Sequence, residues 1–222
     1  MEELRDAIGM KELPQHIECF DNSNIQGTNP VASCVVFRDA EPSKRDYRHF
    51  NIKSVVGAND YASMKEVVNR RYSRMLAEAP DDLPQLIVID GGKGQLAFAY
   101  EAILELGLQD RVTVVGLAKR LEEVVRIGDP YPLFIDRNSQ ALKLLQRLRD
   151  EAHRFGITHH RARRSKSQIS SALREIKGVG ERTEQRLLLR FGSVAGIVAA
   201  PVEEISELVG PALAARIKDE LK

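Results

Sequence analysis

Ile17-Glu18-Cys19-Phe20-Asp21 is the stretch on which the fold turns: a short, apolar-leaning run that reads as a buried strand and then ends on a carboxylate. Asp is a poor strand former, and a carboxylate at the end of an inner strand costs free energy unless a cation or a hydrogen-bond donor receives it. The pattern recurs at Leu86-Ile87-Val88-Ile89-Asp90, a continuous apolar run too short for a helix and suited to an inner strand, followed by Gly91-Gly92-Lys93-Gly94. Were the two strands neighbours, their ends would bring two carboxylates side by side, and such a pair is held together by a divalent cation.

The 222 residues carry a net charge of +1, so overall charge selects no partner. Its distribution is uneven. Residues 159–222 hold 12 Lys and Arg against 8 Asp and Glu, whereas residues 1–158 hold 21 against 24, and positive charge gathered toward the C-terminal end points to a polyanion. Cys19 and Cys34 both fall in predicted strands and read as buried reduced thiols rather than a disulfide or a metal site, which fits a cytoplasmic protein. No apolar run approaches the roughly 18 residues of a membrane span, and a basic-then-apolar secretion signal is absent. Met1-Glu2-Glu3-Leu4 opens with no domain-like lead-in, as a segment of a longer protein would.

Working outward, residues 1–14 carry some helical periodicity and stop at Pro14. Turn residues 22–27 separate the Asp21 strand from a second strand over 31–37, and 41–46 breaks the chain before a third strand over 47–52, which together predict an antiparallel meander. Asn59 or Asp60 caps a helix over 61–79, where Tyr61, Met64, Val67, Val68, Tyr72, Met75 and Leu76 recur at three- and four-residue intervals before Pro80. Beyond the Asp90 strand come a helix over 95–106, a strand over 112–117, a hairpin-like piece over 122–135 and a helix over 139–155 with Leu142, Leu145, Leu148 and Ala152 on one face. This order predicts an α/β domain over 1–158, a mixed sheet with flanking helices in the ribonuclease H-like arrangement.

Residues 159–168, with His159-His160-Arg161-Ala162-Arg163-Arg164-Ser165-Lys166, read as a basic linker. Residues 169–222 read as a small all-α domain of two tandem helix-hairpin-helix units, the first turning at Lys177-Gly178-Val179-Gly180 and the second at Val209-Gly210-Pro211. A glycine turn of this kind lets backbone N–H groups face a phosphate. Basic segment and hairpin together favour non-specific contact with duplex or junction DNA through phosphates rather than bases.

Taken singly, several candidates have plain explanations. Asp21 alone would be a turn-capping residue and Asp60 a helix cap, whereas the glycines after Asp90 open the backbone to close approach by a ligand. The rival reading, a nucleotide-binding loop, is weak there because the stretch lacks both the spacing and the trailing Lys-Ser/Thr. His153 lies at the border of the apolar face of its helix, where ribonuclease H-like folds place a last metal ligand.

Ile17 to Asn24, Asn59-Asp60-Tyr61, Arg70-Arg71-Tyr72, Asp90-Gly91-Gly92-Lys93-Gly94-Gln95, Gly116-Leu117-Ala118-Lys119-Arg120 and Arg149-Asp150-Glu151-Ala152-His153-Arg154-Phe155 are similar, in this order, to the C-terminal half of UvrC, the nuclease subunit of bacterial nucleotide excision repair. The resemblance implies a metal-dependent endonuclease that makes the 5′-side incision in damaged double-stranded DNA. It carries that family's two Asp and one His onto Asp21, Asp90 and His153, as ligands of Mg²⁺ or Mn²⁺, and a further acidic position onto Asp60. Contact with UvrB, and through it UvrA, belongs in that family to the other half of the protein. Lys93, Lys119 and Arg154 are expected to contact phosphate, as are Arg161, Arg163, Arg164, Lys177, Gly178 and Gly180. Two departures stand out: Asn22 replaces a usually apolar residue, and the second hairpin lacks its second glycine. The competing expectations are a DNA-binding module without cleavage and a ribonuclease H acting on RNA–DNA hybrids.

Overall fold

The computed structural model describes residues 1–23, 31–52, 59–118 and 123–221, without the side chains of 23 and 159–172. It divides into two compact units, Met1–His160 and Arg161–Lys222. In the first, helix α1 (Glu2–Ile8) precedes strands β1 (His16–Ser23), β2 (Val31–Arg38), the two-residue β3 (Glu41–Pro42) and β4 (Arg48–Asn51). Helix α2 (Asp60–Glu78), β5 (Leu86–Asp90), α3 (Lys93–Glu105), β6 (Thr113–Ala118), β7 (Glu123–Arg126) and the first part of α4 (Gln140–Glu175) follow, the last turns of α4 belonging to the second unit.

The strands form a single mixed sheet in the order β3-β2-β1-β5-β6-β7, with β4 also pairing β2. The predicted meander is present, except that the 41–46 break itself contributes β3 and a 3-10 turn, Lys44–Asp46. β1 runs antiparallel to β2 and parallel to β5, and β5 parallel to β6. The two acid-bearing strands are therefore neighbours near the centre of the sheet. Both are buried on each face, which is why they read as near-continuous apolar runs.

Helices cover the sheet from both sides, and strand alternation decides which residue meets which helix. Glu18 and Phe20 face α2: the Phe20 and Tyr72 rings meet edge to face at 6.1 Å. α3 lies beside α2, with Lys65 bridging to Glu101 and Glu105 at 3.0 and 2.7 Å. Asp21 and its register partner Ser33 face the other way, toward α4. Met64, Val67, Val68 and Tyr72 of α2, Leu96, Ala99 and Ile103 of α3 and Leu145, Leu148 and Ala152 of α4 complete one core.

Two expectations need correction. Asn59 caps α2, its side chain accepting from the Ala62 N–H at 3.1 Å, so Asp60 is the first helical residue and not the cap. The backbone over 159–168 is helical, part of the 36-residue α4, where a linker was predicted. No Gly or Pro interrupts 157–177, and Arg, Ala, Lys and Gln there are good helix formers.

The second unit has its own core of Leu173, Ile176, Val179, Leu187, Ile197, Ile205, Ala214 and Ile217. Around it stand the end of α4, α5 (Glu181–Phe191), α6 (Val194–Ala199), α7 (Val202–Val209) and α8 (Pro211–Glu220), with the two predicted glycine turns before α5 and α8. No described helix is long and apolar enough to cross a membrane.

Candidate active site

Asp21 and Asp90 are delivered by backbone register. β1 and β5 pair in parallel through Phe20 and Ile89, so the next residue on each strand is the carboxylate, about 5 Å from its neighbour across the sheet. Both residues are buried, Asp90 at 3% exposure. Cys19, one step below Asp21 on the same face, senses both: burial pushes its thiol well up, the negative charges of Asp90 and Asp21 push it further, and Arg149 opposes them. That thiol is thereby kept neutral and unreactive.

His153 arrives from α4. The buried Ser33 hydroxyl donates to the Ala152 carbonyl at 2.9 Å, and Tyr47 donates to Glu151 at 3.1 Å. His49 stacks on Phe155 at 3.7 Å, with its Nε2 3.1 Å from the Phe155 carbonyl. These contacts, from β2, β4 and the residue just before β4, fix the helix turn on either side of His153. Its Nδ1 then lies 3.2 Å from Asp21 Oδ2, the imidazole 56% exposed and the carboxylate 2%. With Nδ1–H donating to Asp21, Nε2 keeps its lone pair for a cation or a proton.

The three principal candidates thus converge on one end of the sheet. Among the described residues, no three His, Cys, Asp or Glu side chains are gathered closely enough to make a ready-formed metal cage. The donor chemistry nonetheless suits a hard divalent ion: two buried carboxylates at adjoining strand ends repel each other in a poorly solvated place, and a cation relieves that.

Asp60 stands at the start of α2, tied to the site by its backbone: Asn22 Nδ2 donates to the Asp60 carbonyl at 2.8 Å. Lys93, exposed at the start of α3, donates to the Pro130 carbonyl at 2.6 Å, and Arg154 forms paired 2.7 Å bonds to Glu151. Lys119 lies outside the described residues, as do the side chains of Arg161, Arg163 and Arg164. In the second unit Lys177, Gly178 and Gly180 are exposed. Gly178 has φ +102°, which favours glycine, and Gly180 caps α5. The Lys177 carbonyl is occupied by Arg216 at 2.6 Å.

Ser33 and Asn22 were not foreseen as parts of the site. The one signal for Ser33 was a hydroxyl at an inward position of an apolar strand; the contact of Asn22 depends on a helix 38 residues away and leaves no local trace.

A mixed sheet with acids at the ends of its central parallel strands, a histidine-bearing helix across one face and a following all-helical unit defines a ribonuclease H-like domain joined to a helix-hairpin-helix tandem. The chain belongs to the UvrC family: the model described as UvrC RNase H endonuclease domain matches residues 5–157, and that of the SAM-like helix-hairpin-helix tandem matches 170–222. UvrABC system protein C of Flavobacterium psychrophilum is 54% identical over 99% of this chain and 36% of the relative's length. That of Flavobacterium johnsoniae is 54% identical over 100% and 37%. The chain therefore spans just over a third of these relatives. A solved structure of Ciona intestinalis Endonuclease V with DNA is only loosely similar, at TM-score 0.34 and 20% identity over 47% of this chain and 46% of that one.

Proposed function

We propose that this chain is the part of a nucleotide excision repair endonuclease that makes the 5′-side incision in damaged double-stranded DNA. The observation that carries the reading is the convergence of Asp21 and Asp90 on adjacent strand ends with His153 Nδ1 at 3.2 Å from Asp21. Asp21, Asp90 and His153 would hold Mg²⁺ or Mn²⁺. When bound, such an ion supplies water activation and charge stabilisation for in-line hydrolysis, leaving a 3′-hydroxyl and a 5′-phosphate. An imidazole in place of a third carboxylate lowers the negative charge of the site and makes Mn²⁺ more acceptable.

The chain's own residues do the positioning. Asp21 orients the imidazole through Nδ1, and the Asn22 amide holds the start of α2, with Asp60, against the end of β1. The second unit grips duplex through phosphates at the Gly178–Gly180 turn, without base readout. Damage recognition, and contact with UvrB and UvrA, lie with the rest of the system.

The test is nicking of lesion-bearing duplex by Asp21→Ala, Asp90→Ala and His153→Ala proteins shown to bind DNA as tightly as wild type. Each is expected to lose about a hundredfold or more in rate. Wild-type nicking by any of them removes that residue from the site. Tight binding by the wild type, in its full-length context with partner proteins and Mn²⁺, but without nicking, leaves a DNA-binding module alone.

A further inference from the structure

A cleft of about 630 Å³ opens between the first turns of α2 and α3, lined by Asn59, Asp60, Tyr61, Gly92, Gly94 and Gln95. Its size is in the range of pockets that take small organic ligands, roughly 300–1,000 Å³. Both walls hang from the carboxylate-bearing strands. Gly92 comes two residues after Asp90, and the wall at Asp60 is fastened by Asn22, the residue after Asp21.

Tyr61 is the unusual member. The residue is 49% exposed, yet its ring is held in place. One neighbour is Phe98, stacked at 5.5 Å with 22° between the ring planes. The other is Gly94: a Cβ on that residue would lie 2.7 Å from the ring, so the helix backbone approaches the ring where another residue would keep it away. A large aromatic that is fixed but half open to solvent offers a stacking surface with little ordering entropy left to lose. Among the described lining residues the only charged one is Asp60, which disfavours a phosphate inside the cleft and leaves sugar and base as the parts that fit.

We propose that this cleft seats the nucleotide adjoining the scissile phosphate, its sugar and base packed on the Tyr61 ring while the phosphate lies at the carboxylates. The proposal rests on the nuclease reading above and adds to it a substrate subsite on Tyr61, next to the predicted acidic position at Asp60.

The experiment uses the 222-residue chain with Asp21→Asn, so that the strand stays intact, and lesion-bearing duplexes carrying 5-iodouracil at single positions along the cut strand. Irradiation followed by peptide mapping is expected to place the strongest crosslink on Tyr61, at one position or two adjacent ones. In binding titrations Tyr61→Ala should weaken affinity on the order of tenfold, Tyr61→Phe should restore it, and Gly94→Ala, which displaces the ring, should resemble Tyr61→Ala. Crosslinks confined to other residues, or a Tyr61→Ala protein binding within twofold of its parent, overturn the subsite. A Tyr61 crosslink in a protein whose Asp21-containing parent never nicks, even with its partners, keeps the subsite and sinks the cutting chemistry instead.

Discussion

Glu18 carries more of the first unit's stability than any sequence pattern announced. Wholly buried, it accepts from Arg71 at 2.5 and 3.1 Å and from Tyr72 at 2.9 Å, with His16 Nε2 at 3.3 Å. Burial alone would raise its pKa; hydrogen bonds from His16 and Arg71, and their charges, outweigh burial and hold it at about 2 instead of 4.5. Because the folded value is the lower one, this stabilisation is complete above pH 4.5 and fades as pH falls toward 2. Urea titrations should register a loss on the order of 3 kcal/mol across that window, and Glu18→Gln should flatten it while costing about 3–5 kcal/mol at neutral pH by stranding the Arg71 charge. Asp21→Asn should behave oppositely. Removing one of two crowded negative charges is expected to raise the melting temperature in chelator, by the equivalent of about 1 kcal/mol, even as nicking is lost. Asp21 and Asp90 were legible because a carboxylate ending an apolar run is conspicuous; Glu18 was not, since its partner Arg71 lies 53 residues away and nothing local marks the pairing.

At the scale of elements, α4 is the part that brings His153 to Asp21, and the Ser33 bond to Ala152 helps to seat it there. Ser33→Ala should cost about 1 kcal/mol, or somewhat more because the site is buried, and should depress nicking further than that figure implies by loosening His153; calorimetry and rate measurements on one preparation separate the two effects. The α2 periodicity fixed its length and most of its buried face in advance: Met64, Val67, Val68, Tyr72 and Met75 are buried as their spacing requires, whereas Leu76 is only partly buried and Tyr61, in the first turn, is half exposed. The end of α4 was read too early. The helix was expected to end at Phe155 and a basic linker to follow, but an isolated glycine such as Gly156 costs a helix only about 1 kcal/mol and the residues beyond it favour continuation.

Across the whole molecule, two separate cores serve the two units. Thermal or urea unfolding should therefore resolve two transitions, and a protein ending at residue 160 should retain the first with its midpoint little changed. The same truncation should weaken duplex binding and flatten its salt dependence, the plot of log affinity against log salt losing slope for each phosphate contact removed. A single transition, or an unchanged slope, would contradict this division. The change in composition near residue 159 made the second unit visible from sequence alone. Strand order was not visible in that way, because alternation tells a strand which face to bury and leaves open which strand lies beside it. The parallel pairing of β1 with β5 has a consequence for biosynthesis. A ribosome releases Asp21 some seventy residues before Asp90 and Asp90 some sixty before His153, so the nascent chain carries the parts of the proposed site separately until α4 has emerged to join them.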